Sequence, residues 1–152
     1  MRRRFTVGLG AAAAALLTVT LGVGPASAST VTDTSVSQNW GYAYAKTQWR
    51  LNPYRLDPVY LEVKDKLADG HSVGIRLVTY GDAGRHYFPI RRVSTGAGTY
   101  NAWLTYANPG GWIDYAYVQL CQMEGSQILK CIDSRIMYPA FDDSGAAPPF
   151  PG

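Results

Sequence analysis

The residues of this chain best suited to chemistry are aromatic rings and a guanidinium, and the chemistry they suit is recognition. Trp112, Tyr115 and Tyr117 stand close together, with Arg135 downstream. Trp112 follows Asn108-Pro109-Gly110-Gly111, so it falls where a loop enters a strand. In a strand, Tyr115 and Tyr117 share one face. Amphipathic rings beside a cation can stack on a sugar or anchor a protein partner. These four residues form the candidate binding patch.

Catalytic groups are harder to assemble. His86 is the one candidate general base, and it would need Asp82 or Asp114 as its acidic partner. His71 directly follows Asp69-Gly70 and reads as a solvated turn residue. Neither a Gly-x-Ser-x-Gly nor a His-Glu-x-x-His motif occurs, and no glycine-rich loop suits a phosphate. Asp142-Asp143 is the only adjacent acidic pair. No residue is assigned a catalytic role, and no cofactor is implied.

The two cysteines, Cys121 and Cys131, read as a structural disulfide, because a lone pair in an oxidising compartment bridges. A zinc site needs four ligands, and the two histidines lie far away in sequence, so no metal site is expected.

The elements that must position these groups are strands. Short runs rich in Val, Ile, Tyr, Trp and Thr recur between Gly, Pro, Asn and Asp, which is the pattern of an all-β chain. Strands are expected over 39–49, 58–65, 72–80, 86–93, 99–106, 112–122 and 128–138. About seven strands suit a single antiparallel β-sandwich, with a small β-barrel as the alternative.

Two hairpins follow at residue level. Val59, Leu61 and Val63 share a face, as do Val73, Ile75 and Leu77; a three-residue Ala68-Asp69-Gly70 loop would pair Val63 with Ile75. A bridge between Cys121 and Cys131 requires them to lie opposite each other. Leu120 then faces Ile132, Val118 faces Ser134 and Ala116 faces Ile136. Arg135 falls opposite Tyr117, the disulfide lies on the wetter face, and the connecting loop needs three to five residues. Val78-Thr79-Tyr80-x-Asp82-x-Gly84 and Leu104-Thr105-Tyr106-x-Asn108-x-Gly110 both read as a strand entering an Asx turn.

The chain opens with Arg2-Arg3-Arg4, an apolar stretch from Phe5 to about Val23, and Ala26-Ser27-Ala28. That is the three-part build of a secretory leader, cut before Ser29. Its Ala/Arg-rich composition has the look of a bacterial leader. Without its three arginines, the fourteen Lys and Arg of the chain become eleven, against eleven Asp and Glu. A near-neutral mature protein gives no electrostatic handle for nucleic acid. No second apolar run reaches the ~20 residues that a membrane insertion needs. The chain thus divides into a leader at 1–28, a sandwich at 29–141 and a Gly/Ala/Pro-rich disordered tail at 142–152. The expected product is a small secreted, non-enzymatic binding module with cell-wall polysaccharide or an extracellular protein as its partner. The alternatives are a small hydrolase built on His86 and a purely structural cell-surface protein.

Overall fold

A computed structural model describes residues 29–51, 54–94 and 96–139. The expected leader and the 142–152 tail lie outside the described residues. Among the described residues, nine strands form two antiparallel sheets: β1 (Ser29–Ser37), β2 (Gly41–Leu51), β3 (Tyr54–Asp65), β4 (Ser72–Gly81), β5 (Gly84–Tyr87), β6 (Arg91–Val93), β7 (Tyr100–Ala107), β8 (Ile113–Glu124) and β9 (Gln127–Asp133). The first sheet runs β1-β2-β3-β7. The second runs β5-β4-β8-β9, with β6 also pairing β4. The expected antiparallel sandwich is the fold.

Side-chain alternation builds the core between the sheets. Ala43, Ala45, Val59, Leu61 and Val63 face inward from the first sheet, and Val73, Ile75, Leu77, Ala116, Val118 and Leu120 from the second. Each is buried. Burying the Val, Leu and Ile side chains contributes about 1.5–3 kcal/mol apiece, the alanines less, and this is the main force holding the sheets together.

The alternation that selects these residues does not select their partners. Val63 and Ile75 both enter the core, yet β3 pairs β2 and β7 while β4 pairs β5, β6 and β8. The 66–71 connection therefore crosses between sheets instead of closing a hairpin. Parity fixes which face a strand buries, and two opposed sheets bury the same parity equally well. Lys66 pins the crossing: its N–H donates to the Trp40 carbonyl at 3.2 Å, and its Nζ donates to Ser37 Oγ at 2.8 Å.

β1 lies outside the strands expected from sequence. Its inward positions are Thr30, Thr32, Thr34 and Val36, set by pairing with Trp49, Thr47, Ala45 and Ala43. Threonine suits a pleated surface but carries no apolar signal to alternate. The expected 86–93 strand is broken into β5 and β6 around Phe88-Pro89-Ile90, since proline cannot donate to a ladder. Ile90 lies over Gly74, where any Cβ would sit 2.9 Å from it and from Met123 Sδ.

The cysteine hairpin has the expected centre. Cys121 opposes Cys131 and Leu120 opposes Ile132, and the disulfide is formed. Two details differ. The turn is a tight Gly125-Ser126 pair, with Glu124 opposite Gln127 and Gly125 at φ 56°. An extra residue, Leu129, bulges from β9 and restores the cysteine register, so no longer loop is required. β9 also ends at Asp133, short of the expected 138, and Ala116 bridges Met137 rather than Ile136. The disulfide is not on a wet face either: Cys121 is fully buried. Ile132, on the core-side parity, is 38 % exposed because β9 is an edge strand.

Closing a loop with a sequence separation of 10 should contribute about 2–3 kcal/mol by chain entropy. Reducing the bridge is therefore expected to lower the unfolding free energy by that amount while the sandwich persists. Urea unfolding followed by far-ultraviolet circular dichroism, with and without reductant, measures it, and an unchanged midpoint would show that the bridge adds nothing.

Candidate functional site

None of the eleven tyrosines enters the core cluster. Strand register puts Tyr42, Tyr44, Tyr60, Tyr100 and Tyr106 on the outer face of the first sheet. Tyr80, Tyr87, Tyr115 and Tyr117 lie on the outer face of the second, and Tyr138 joins them by packing against Tyr115. Tyr54 packs at one end of the sandwich. Tyrosine here coats the sheets instead of filling them.

The second-sheet face is a lattice of rings and polar groups. Tyr80 and Tyr115 sit opposite each other and stack, with centroids 5.1 Å apart and planes 10° from parallel. Tyr138 meets Tyr115 edge-on at 6.2 Å. One row further along β4, Tyr87 and Tyr117 flank Val78. Next, Arg76 Nε donates to Gln119 Oε1 at 2.6 Å, and Gln119 Nε2 donates to Asp133 Oδ1 at 2.7 Å. The same Arg76 guanidinium lies 4.6 Å from the Tyr87 ring centroid. Each long side chain is thus held by a neighbour, so little rotamer freedom remains to be lost on binding.

Of the four residues expected to form the patch, Tyr115 and Tyr117 belong to this face. Tyr117 is only 7 % exposed, so it supports the face more than it presents it. Trp112 does not belong. Its ring packs on Tyr54 at 4.6 Å, in a crevice with Trp49, Arg50 and Arg55 at the end of the sandwich. The reason is a bulge: Tyr80 opposes Tyr115 but Gly81 opposes Ile113, leaving Asp114 as an extra residue. Ile113 is thereby turned into the core, and Trp112 leaves the plane of the tyrosines.

Arg135 does not belong either. The expected pairing of Val118 with Ser134 holds, the Ser134 N–H donating to the Val118 carbonyl at 2.8 Å, but the register then slips to join Ala116 with Met137, so Arg135 is not set opposite Tyr117. Arg135 is exposed, and its carbonyl accepts from Thr34 Oγ1 at 2.9 Å, tying β1 to the second sheet. The arginine of the face is Arg85, which pairs with Tyr80 across β4 and β5, beside the Tyr87, Tyr115 and Tyr117 side chains. Those phenols raise its pKa above the ordinary guanidinium value, Tyr87 most of all. Its place was within reach of sequence reading: the Asp82-Ala83-Gly84 turn folds Arg85 back onto Tyr80.

Burial pushes the Tyr117 phenol above its ordinary pKa, and the Asp133 charge adds to the effect. The bond that Tyr60 donates to Glu62 Oε2 at 2.8 Å does the same for Tyr60. A raised folded-state pKa gives stability that is complete below the usual phenol value of about 10 and lost as pH rises through the raised one. Ultraviolet titration is therefore expected to show phenols ionising later in the folded protein than in urea, and Tyr117→Phe should remove part of that late step. Coincident folded and unfolded titrations would contradict it.

His86 is exposed on β5, where its ring meets Phe88 edge-on at 4.5 Å. Among the described residues, the histidine with an acidic neighbour is His71, whose Nδ1 lies 3.4 Å from Asp69 Oδ1. The same oxygen accepts from the His71 backbone N–H at 3.0 Å, and that bond holds the Asp69 carboxyl below its usual pKa. This is an Asx turn securing a loop, in keeping with the turn chemistry of Asp69-Gly70. The geometry gives the His86 hydrolase reading no support.

Fold and face together define an antiparallel two-sheet sandwich whose flat outer surfaces are rich in tyrosine. No family model, curated protein or solved structure matches the chain.

Proposed function

We propose that this protein is a secreted binding module whose second-sheet outer face holds a polysaccharide. The observation that carries the reading is the Tyr80–Tyr115 stack, placed beside Arg85 and the Arg76–Gln119–Asp133 line on one surface. Sugar rings offer C–H groups to an aromatic face and hydroxyls to planar polar side chains. This face supplies both within a few residues, and its rings are already fixed. Tyr80, Tyr87 and Tyr138 are 36 %, 46 % and 48 % exposed, so they are open to a ligand. Tyrosine is also the side chain that gives large contact area at low entropic cost. Export is supported by the leader and by the disulfide.

Sedimentation with insoluble cell-wall polysaccharide, cellulose and chitin tests the reading. The mature protein should co-sediment with at least one of them. Tyr80→Ala and Arg85→Ala should each weaken retention about ten-fold or more, equivalent to ~1.4 kcal/mol. Trp112→Phe should leave it unchanged, because Trp112 lies off the face. Loss with Trp112→Phe but not with Tyr80→Ala would move the site to the end of the sandwich. Failure to bind any polysaccharide would overturn the glycan assignment.

A further inference from the structure

We propose that β7 is a self-association edge, through which two copies of this chain join into one continuous eight-stranded sheet. The inference concerns the opposite sheet from the glycan reading and does not depend on it.

A sandwich of open sheets must guard its strand edges, and charged residues, proline and bulges are the usual guards. Among the described residues, three of the four edges carry them. β1 has Asp33, β9 has Lys130, Asp133 and the Leu129 bulge, and β5–β6 has Arg85, Pro89, Arg91 and Arg92. β7 reads Tyr-Asn-Ala-Trp-Leu-Thr-Tyr-Ala, with neither charge nor proline over eight residues. It ends the first sheet, with β3 on one side only.

The backbone says what fits the other side. The Ala102 N–H donates to its neighbour Asn101 Oδ1 at 2.9 Å, so it is not spent on β3. Antiparallel ladders alternate, so Tyr100, Leu104 and Tyr106 turn their N–H and C=O groups to the same open side. Those are also the residues whose side chains coat the outer face, at 68 %, 73 % and 67 % exposure. Asn101 is the one guard on the strand, and a neutral amide yields to a better partner.

A second copy is the occupant that matches under its own symmetry. A two-fold axis through Trp103 runs β7 antiparallel to itself and sets Tyr100 opposite Tyr106 and Ala102 opposite Leu104. All four belong to the outward-turned set, so hydrogen bonds and faces agree at once. Such cross-strand aromatic pairs are favourable. The same operation on β9 would bring Lys130 beside Lys130. The contact is isologous, so it closes at a dimer and builds no fibre. On the inner side Arg91 already holds the strand in place, donating to Thr105 Oγ1 at 3.3 Å and lying 5.8 Å from the Trp103 ring.

Sedimentation velocity of the mature protein, without any glycan and from micromolar to submillimolar concentration, tests this. The expected result is a reversible monomer–dimer equilibrium. Leu104→Lys should weaken dimerisation about ten-fold or more, since it sets like charges beside each other across the axis. Its side chain is solvated in the monomer, so the fold is kept, and circular dichroism checks that. Mixing Leu104→Lys with Leu104→Glu should restore a mixed dimer. Val31→Lys, exposed on the β1 edge, should change nothing. A protein that stays monomeric throughout overturns the proposal, as does a dimer that survives Leu104→Lys or is lost with Val31→Lys.

Discussion

Replacing Gly81 with alanine is expected to cost about 3 kcal/mol or more of folding stability, at the upper end of what overpacking does. A Cβ at this position would lie 1.8 Å from the Trp112 carbonyl oxygen, 2.8 Å from its carbon and 3.0 Å from Ile113 Cα. All three are backbone atoms, so no rotamer change relieves the clash. That backbone is also committed: the Trp112 carbonyl accepts from the Asp82 N–H, and the Trp112 N–H donates to Asp82 Oδ2, both at 3.2 Å. Moving it would open the β4–β8 bulge that turns Ile113 into the core. A nearby glycine supplies the control. Gly84 has φ 74°, and a Cβ there would meet nothing within 4 Å, so alanine incurs only the left-handed backbone penalty of about 1–2 kcal/mol. Urea unfolding of the two variants should rank Gly81→Ala as clearly the more damaging, with a melting point lower by roughly ten degrees or more. Equal losses at the two positions would mean that the bulge can relax and that the close approach is not structural.

The close approach of Gly81 to β8 also marks where sequence reading stops. Strands with aliphatic alternation are legible: β3, β4 and β8 each bury the residues that their period-two pattern selects. The Cys121–Cys131 register is legible because a disulfide imposes a distance. The Asn108 Asx turn is legible because its chemistry is local: Gly110 N–H donates to Asn108 Oδ1 at 3.0 Å, whereas Asp82 Oδ2 accepts from the distant Trp112 N–H, and the turn expected there has only the positive φ of Gly84 in common. Hidden is whatever a single residue can shift. The Asp114 bulge removes Trp112 from the binding face, and the Leu129 bulge allows a turn tighter than parity alone permits. Arg135 reaches Tyr117 only if the register is kept past Ser134, where it slips to pair Ala116 with Met137. The sheet in which β4 sits is also hidden, since inward parity is shared by both sheets. Half of the candidate face, Tyr115 and Tyr117, lies inside an unbroken alternating run. Tyr80 reaches that half through long-range β4–β8 pairing that one strand cannot announce, and it carries Arg85 there across the local 81–84 turn.

Trp49→Ala is expected to remove about 3–5 kcal/mol, in the range of the most damaging core truncations. The indole is 4 % exposed and belongs to the core cluster. Its Nε1 donates to Thr32 Oγ1 at 2.7 Å, on the strand that carries no aliphatic pattern of its own. β1 is held by its ladder to β2, by Thr34 on the Arg135 carbonyl and by this indole. Truncation therefore leaves a cavity and also strands a threonine hydroxyl in it. A domain of this size has about 5–15 kcal/mol of stability in all, so the variant should sit near the edge of folding at ambient temperature. Trp49→Phe separates the two contributions. It keeps most of the ring and loses the donor, and should cost about 1 kcal/mol for the hydrogen bond plus a smaller packing loss. Chemical unfolding of both, with hydrogen exchange on β1 amides, reads the result. Early exchange confined to 30–37 in Trp49→Phe would show that the indole anchors β1 through Thr32. A Trp49→Ala loss under about 1 kcal/mol, within the range of ordinary surface changes, would show that β1 is not docked on the core.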